Sequence, residues 1–463
     1  MGKNEKNLPV GAREKLPFWF GLAWSSRGVS ASINVILLGY ITYYCTDLLG
    51  LNPAIVGAIL LGSKVVDAIT DLIAGFIIDK TNTRWGKGRP YELFVIFLWI
   101  FTVMIFNIPD IGKTGQYVYV FILYVLINAV CATALGGVDA VYMARAIKSQ
   151  NNRIKVMTIN GVLVMFIAIA FNIIFPQIIS GLGATKEGWF TIALYIGIPL
   201  ALIGLLRFFL IKEIKDETVV KTGNSKIEKK EESLKFTTMI KLLGKNKYIF
   251  IIIALMFITN ISNGLGPAAT YYFKYMMGDI GLLSIASMTS LTVPLMLVIF
   301  PLLSRKLGTS KILQVFTFIG IIGIVIRTVG GTNMVTILVG GLFSGLASIP
   351  ISMMINTYLI DCMDYGEWKT GTRIEGSLAS VVNFAGKLGS AVASGFVGLV
   401  MGLAGYDGAL SVQSDVANVA IVGLYNFFPL VLLIIMFILS LMYNMDKIRP
   451  QMVEDLEKKR SNI

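Results

Sequence analysis

Histidine is absent from all 463 residues. Zinc sites built on imidazole, Ser–His nucleophilic triads and histidine proton relays are therefore excluded, and proton chemistry falls to carboxylates. Cysteine is nearly absent. Cys45, Cys131 and Cys362 fall in or beside apolar stretches with no paired spacing, and they read as packing residues rather than disulfide partners or metal ligands. Charge is scarce as well: Asp, Glu, Lys and Arg make up 14% of the chain, against about 25% in a soluble domain. So little polar surface excludes most soluble enzymes and secreted scaffolds. The phosphate-cradling pattern Gly-x-x-x-x-Gly-Lys-Ser/Thr does not occur either, so no P-loop nucleotide site is available to drive a reaction.

What the chain has in abundance is apolar surface. Twelve membrane-crossing helices of about 20 residues need roughly 240 apolar positions, and 55% of 463 residues supplies them. Apolar runs set against polar punctuation predict spans at 18–46, 54–79, 91–109, 117–144, 154–181 and 189–211, then at 248–276, 283–304, 312–330, 334–360, 376–404 and 417–443. The polar, basic first 17 residues are followed by no cleavage site, which predicts an uncleaved first helix rather than a signal peptide. The 40 basic and 27 acidic residues are unevenly placed. Basic residues collect at the N-terminus, around Lys80–Arg89, Arg145–Lys155 and Arg305–Lys311, and in the C-terminal tail, while the alternate loops are nearly empty of them. The net charge of +13 thus reads as positive-inside anchoring and not as nucleic-acid binding, with both termini cytoplasmic.

Residues 212–247 interrupt this pattern with ten lysines and six acids. The expected fold is an all-α membrane protein of twelve transmembrane helices in two six-helix bundles. Residues 1–211 form the first bundle, 212–247 a charged cytoplasmic loop, 248–443 the second bundle, and 444–463 a cytoplasmic tail. Within the loop, the run from Leu234 to Leu243 has apolar residues at helical spacing and predicts a helix lying on the membrane surface. The layout resembles that of the major facilitator superfamily.

Ionisable residues at membrane depth are costly and point to function. The second span holds Lys64, Asp67 and Asp71 on one helical face. Two carboxylates one turn apart repel unless a cation or proton lies between them, as a site for Na⁺, Li⁺ or H⁺ requires. A buried ion pair of Lys64 with an Asp is the alternative. Asp139 lies in the fourth span beside Gly136 and Gly137, whose missing side chains allow close helix approach, and Lys387 lies in the eleventh span. Arg27 in the first span reads equally as a ligand for an anionic substrate and as the partner of a carboxylate on another helix. Asn34, Tyr142 and Asn383 belong to a set of amides and phenols suited either to hydroxyl-rich ligands or to joining helices.

Several long motifs occur in order along nearly the whole chain. Asp67-Ala-Ile-Thr-Asp71 is followed by Gly75, Asp79, Arg84-Trp-Gly-Lys-Gly-Arg89-Pro; Tyr271-Tyr-Phe-Lys-Tyr-Met-Met-Gly-Asp279 comes later, then Asp361-Cys-Met-Asp364-Tyr-Gly-Glu367-Trp and Arg373. This resembles the signature of the glycoside–pentoside–hexuronide:cation symporters. The resemblance implies a cation site at Asp67 and Asp71, with Thr70 and Gly136 beside it. It further implies a substrate site at Asp139 with Lys387 as the charged partner, to which Arg27, Asn34, Asn383 and Tyr142 are added as candidate ligands from their place on apolar spans. Lys64, Asp79, Arg84, Arg89, Asp361, Asp364 and Arg373 would form a gating network of charges. An acidic sugar ligand of the family's first span falls here on Ala31, and Thr70 replaces an asparagine, so the cation machinery matches better than the sugar site.

The function expected is therefore secondary transport in the cell (inner) membrane: a sugar or glycoside moved with Na⁺ (or Li⁺) or H⁺ by a lipid-embedded functional monomer. It would use neither cofactor nor nucleic acid and would not be an enzyme. A lysolipid or other amphiphile carrier on the same fold is the competing expectation.

Overall fold

The structure is a computed structural model that describes residues 9–214, 246–371 and 376–461. The surface helix expected at 234–243, and Arg373, lie outside these residues, as does the side chain of Asp79. The described chain is helical. Its elements are α1 (Phe18–Leu48), α2 (Pro53–Lys80), α3 (Phe94–Ile105), α4 (Gly112–Ala146), α5 (Gln150–Leu182), α6 (Lys186–Leu210), α7 (Lys247–Met276), α8 (Leu282–Leu307), α9 (Thr309–Gly330), α10 (Met334–Thr370), α11 (Gly376–Leu403), α12 (415–442) and α13 (Met445–Ser461). A backbone in hydrocarbon must satisfy its own polar groups, and helices do this within one segment.

Ten helices among the described residues are long and apolar enough to cross a membrane. α2 and α3 fall where the second and third spans were expected. α3 has only 12 helical residues and is led in by a 3₁₀ turn at Arg89–Leu93. α10 runs on to Thr370, past the expected end at 360, and stops at Gly371, whose φ is +72°. The entries are capped by side chains. Asn52 accepts the Ala54 N–H at 2.9 Å ahead of α2, with Pro53 in the first turn, and Asn333 accepts that of Val335 at 2.9 Å ahead of α10.

The chain divides into two compact units, Met1–Glu228 with Tyr406–Val412 and Lys229–Gly405 with Gln413–Ile463. In the first, α1 packs on α5 and α6, α3 on α6, and α2 on α4. In the second, α7 packs on α11, and α9 on α10 and α12. The backbones of α9 and α10 touch: a Cβ on Gly323 would stand 2.6 Å from the Gly340 carbonyl oxygen.

The two units repeat one device. Thr42-Tyr43-Tyr44 enters a π-helical turn at Tyr44–Leu48, and Thr270-Tyr271-Tyr272 enters another at Tyr272–Met276. Both turns are followed by a glycine of positive φ, Gly50 at +60° and Gly278 at +77°. In both, the next residue donates back, Leu51 N to Cys45 O at 3.0 Å and Asp279 N to Phe273 O at 3.1 Å. An internal repeat of this kind is the expected construction of a two-bundle transporter fold.

Candidate functional site

α2 carries Asp67 and Asp71 one turn apart, both half-buried. Facing them is Thr133 of α4, whose hydroxyl lies 2.9 Å from Oδ1 of Asp67 and 3.1 Å from Oδ1 of Asp71. A hydroxyl has one proton and donates to one carboxylate at a time. The two carboxylates repel each other across that one neutral hydroxyl, and a cation or proton at the pair would relieve the repulsion. The π-helical stretch Leu126–Ala132 sets the register of Thr133, whose hydroxyl is also 3.3 Å from the Asn128 carbonyl oxygen. The donor set is all hard oxygen with two negative charges, which fits a monovalent cation or a proton.

The neighbours take different parts. Thr70 turns its hydroxyl back to the Asp67 carbonyl at 3.0 Å. Lys64 donates to Asn128 Oδ1 at 3.3 Å, and among the described residues no ion pair within 4 Å joins it to Asp67 or Asp71. Both glycines of α4 were expected at a close helix approach, but only Gly137 is at one, since its Cβ would stand 3.1 Å from Ile78. A Cβ on Gly136 would meet nothing within 4 Å, so one turn beyond Thr133 the helix leaves open space.

A second charged cluster lies in the same unit. Arg27 of α1 meets Asp139 of α4 at 2.7 Å and Glu92, just ahead of α3, at 3.6 Å. Arg207 of α6 meets Asp139 at 2.5 Å and Glu92 at 3.5 Å. Two cations and two carboxylates neutralise one another, as buried charges must. Arg207 also lies over the Trp24 ring at 3.6 Å, and Arg27 donates to the Leu135 carbonyl at 3.0 Å. Exposure differs sharply within the cluster: Asp139 shows 43% of its side chain, Arg27 8%, Arg207 1% and Glu92 none. Asp139 is the accessible tip of a buried network, and Arg27 holds it in place.

Asn34 and Tyr142 are both buried. Asn34 donates to Thr102 at 2.7 Å and Tyr142 to the Ile211 carbonyl at 2.9 Å, so each joins helices within the unit. In the second unit, Asn383 and Lys387 stand one turn apart on α11, both exposed.

The loop after α2 is built around a carboxylate. Glu213 accepts the N–H groups of Lys87 at 3.1 Å, Gly88 at 2.6 Å and Arg89 at 2.9 Å, and Arg145 lies 3.8 Å away. Gly86 has φ +117°, and a Cβ there would sit 2.3 Å from the Glu213 carboxyl carbon, so only glycine fits. Arg89 donates to the Phe208 carbonyl at 2.8 Å, while Arg84 lies over the ring of Trp85 at 4.9 Å. The second unit repeats the arrangement: Asp446 accepts from the N–H groups of Thr309 at 3.0 Å and Ser310 at 2.8 Å beside Gly308, whose φ is +82°. Asp361 is buried and meets Arg449 of α13 at 3.1 Å, with the Tyr443 hydroxyl at 3.4 Å. Trp368 donates to Asp455 at 2.9 Å, so α13 is pinned to α10 at two points. Asp364 follows Asp361 one turn further along α10 and is half-buried.

A family model described as MFS/sugar transport protein matches residues 30–447. The chain belongs to this family. Within it, the chain is 30% identical to the isoprimeverose transporter of Lactiplantibacillus pentosus, over 97% of this chain and 93% of that protein. It is 25% identical to a glucuronide carrier protein homolog of Escherichia coli strain K12, over 84% of each chain. Among solved structures, a bacterial homolog of the human lysosomal transporter Spinster matches 92% of this chain and 96% of its own at a TM-score of 0.64 and 13% identity, a likeness of fold. As a member of the MFS/sugar transport family, this chain is a multi-pass membrane protein of the major facilitator type.

Four of the residues that assemble these clusters in this family member went unmarked by sequence reasoning: Thr133, Glu92, Arg207 and Glu213. Glu92 and Arg207 lie at the ends of apolar runs, where charged residues are ordinary and positive-inside anchoring already accounts for the arginine. The signal that could have found them is the pairing of an acid and a base across the same end of two neighbouring spans.

Proposed function

We propose that the protein is a sugar or glycoside symporter of the cell membrane, driven by Na⁺ (or Li⁺) or H⁺ through alternating access of two six-helix bundles, twelve spans in all with both termini cytoplasmic. The observation that carries this reading is the oxygen cluster of Asp67, Asp71 and Thr133, two carboxylates sharing one hydroxyl proton. Asp67 and Asp71 would hold the cation directly, Thr133 would supply a neutral oxygen, and the room left by Gly136 would admit the ion. Asp139, with 43% of its side chain exposed and held by Arg27 and Arg207, would accept sugar hydroxyls. Cation binding would remove the repulsion within the Asp pair and so raise sugar affinity. The relatives bear the names of an isoprimeverose transporter and a glucuronide carrier homolog, which favours a sugar over a lysolipid.

Proteoliposome uptake tests the reading. A panel of pentosides, glycosides and lysolipids is offered with an inward Na⁺ gradient, an inward proton gradient, or neither. Accumulation of a glycoside under one gradient is expected. Glycoside uptake indifferent to both gradients, or uptake of lysolipid alone, would overturn it.

A further inference from the structure

In the first unit a groove of about 230 Å³ lies between α2, α4 and the entry to α3, smaller than the about 300–1,000 Å³ of small-molecule sites. Three of its lining residues carry hydroxyls, and each hydroxyl is engaged. Thr70 bonds the Asp67 carbonyl oxygen at 3.0 Å, Thr133 is within reach of both carboxylates, and Tyr91 meets the Thr81 hydroxyl at 2.6 Å. The rest of the wall is isoleucine, alanine, valine and phenylalanine. A sugar placed there would find its own hydroxyls without partners. Ile73 and Ile77 of α2 and Val130 of α4 are exposed, so the groove is open along these residues.

Positive charge lies where α2 ends. Lys80, the last residue of α2, follows the lining residue Ile77 by three positions, and Thr81, the partner of Tyr91, comes next. The Lys80 ammonium lies over the Phe76 ring at 4.1 Å, and the Arg84 guanidinium over the Trp85 ring at 4.9 Å. Both basic residues are exposed, and among the described residues neither is in an ion pair. Aromatic rings hold these cations without cancelling their charge. An apolar slot with two cations beyond its end matches the two parts of a negatively charged lipid.

We propose that this groove holds one acyl chain of an anionic phospholipid, its phosphodiester on Lys80 and Arg84, as a resident ligand and not a cargo. A groove left empty forfeits dispersion contact along its walls, and a slender hydrocarbon chain restores it. A zwitterionic lipid offers the same chain, but its own ammonium opposes the two basic residues. A headgroup of net negative charge is drawn to them, by about fivefold in affinity for each Lys or Arg near the surface. Free phosphate would meet the two cations and leave the groove unfilled. The site needs only that the chain is embedded in a bilayer, so it does not depend on the coupling of a sugar to a cation.

Photolabelling of the full-length protein in phosphatidylcholine nanodiscs tests the proposal. Phosphatidylglycerol and phosphatidylcholine, each carrying a diazirine within one acyl chain, are added in trace amounts, and labelled peptides are mapped by mass spectrometry. α8, whose Leu295, Val298 and Leu302 are exposed, serves as the reference for bulk lipid. Labelling at 70–78 and 129–134, relative to α8, should be at least about fivefold greater with the phosphatidylglycerol probe. Excess unlabelled phosphatidylglycerol should remove that preference, and inorganic phosphate should not. Lys80→Gln with Arg84→Gln should bring the ratio down to that of the zwitterionic probe. Ile73→Trp, which keeps both charges and fills the groove, should lower it as well. Equal ratios for the two probes would mean bulk lipid alone and would overturn the proposal. So would a preference that phosphate abolishes, or one that survives either variant.

Discussion

Arg27 and Asp139 meet at 2.7 Å, and the pair ties α1 to α4 inside a cluster that Glu92 and Arg207 complete. Four charges from four segments cancel there, three of them withdrawn from water and only Asp139 open at its tip. Such a cluster is indifferent to being replaced whole but intolerant of losing one member.

The first prediction follows from that asymmetry. Arg27→Ala strips a cation from a buried neutral set and should lower stability by about 3–5 kcal/mol, read as a fall in Tm of the detergent-solubilised protein. Arg27→Gln with Glu92→Gln removes one charge of each sign and should be less damaging than the two single changes added, with a coupling of about 1–3 kcal/mol. Strict additivity in that cycle would mean that Arg27 and Glu92 do not share a network.

Gly86 gives the second. With φ at +117° and the Glu213 carboxylate within 2.5 Å of where a Cβ would stand, Gly86→Ala both strains the backbone and evicts the acid that gathers three N–H groups. A loss of about 1–3 kcal/mol is expected, together with faster proteolysis at residues 80–89. Glu213→Gln keeps an acceptor oxygen but loses the charge, and should produce a milder form of both effects. An unaltered digestion pattern in Gly86→Ala would show that the loop finds another conformation.

How much of this was legible beforehand depended on contrast. Asp67, Asp71 and Lys64 stand out because charge inside an apolar run has no local explanation, and the helical repeat put the two carboxylates on one face. Thr133 did not stand out, since a hydroxyl in a membrane helix ordinarily bonds its own backbone, as Thr70 does. What singles out Thr133 is the π-helical turn before it, and nothing in the apolar periodicity marks that turn. The same limit applies to Asn34 and Tyr142: a polar group on a buried face looks alike in sequence whether a ligand or the next helix takes its hydrogen bond. Here Thr102 and Ile211 take them. The Thr-Tyr-Tyr repeat is plain in the sequence, but only the paired π turns and positive-φ glycines at Gly50 and Gly278 make it a structural repeat.

Thr133 supports the third prediction. Thr133→Val keeps the branched shape and deletes the one oxygen shared by both carboxylates. The concentration of cation that half-saturates stimulation of glycoside uptake should rise about tenfold, the equivalent of one hydrogen bond to a charged group at about 1.5 kcal/mol. Thr133→Ser retains the oxygen and should stay near the parent value. A Val variant with unchanged cation dependence would remove Thr133 from the cation site.

Asp71→Asn separates coupling from binding. The substitution preserves shape and one acceptor oxygen while removing half the negative charge next to Thr133. A monovalent cation in a low-dielectric site depends on that charge, so cation affinity should fall far more than in Thr133→Val. Asp139, the proposed sugar ligand, belongs to a different cluster neutralised by Arg27 and Arg207, so sugar binding should survive in part. The expected result is uncoupling: counterflow exchange of glycoside across proteoliposome membranes persists, while accumulation against a gradient and the cation effect on affinity both disappear. If Asp71→Asn still concentrates glycoside under an ion gradient, the coupling charge lies elsewhere, and Asp67→Asn becomes the deciding variant because Asp67 is the other carboxylate on the Thr133 hydroxyl.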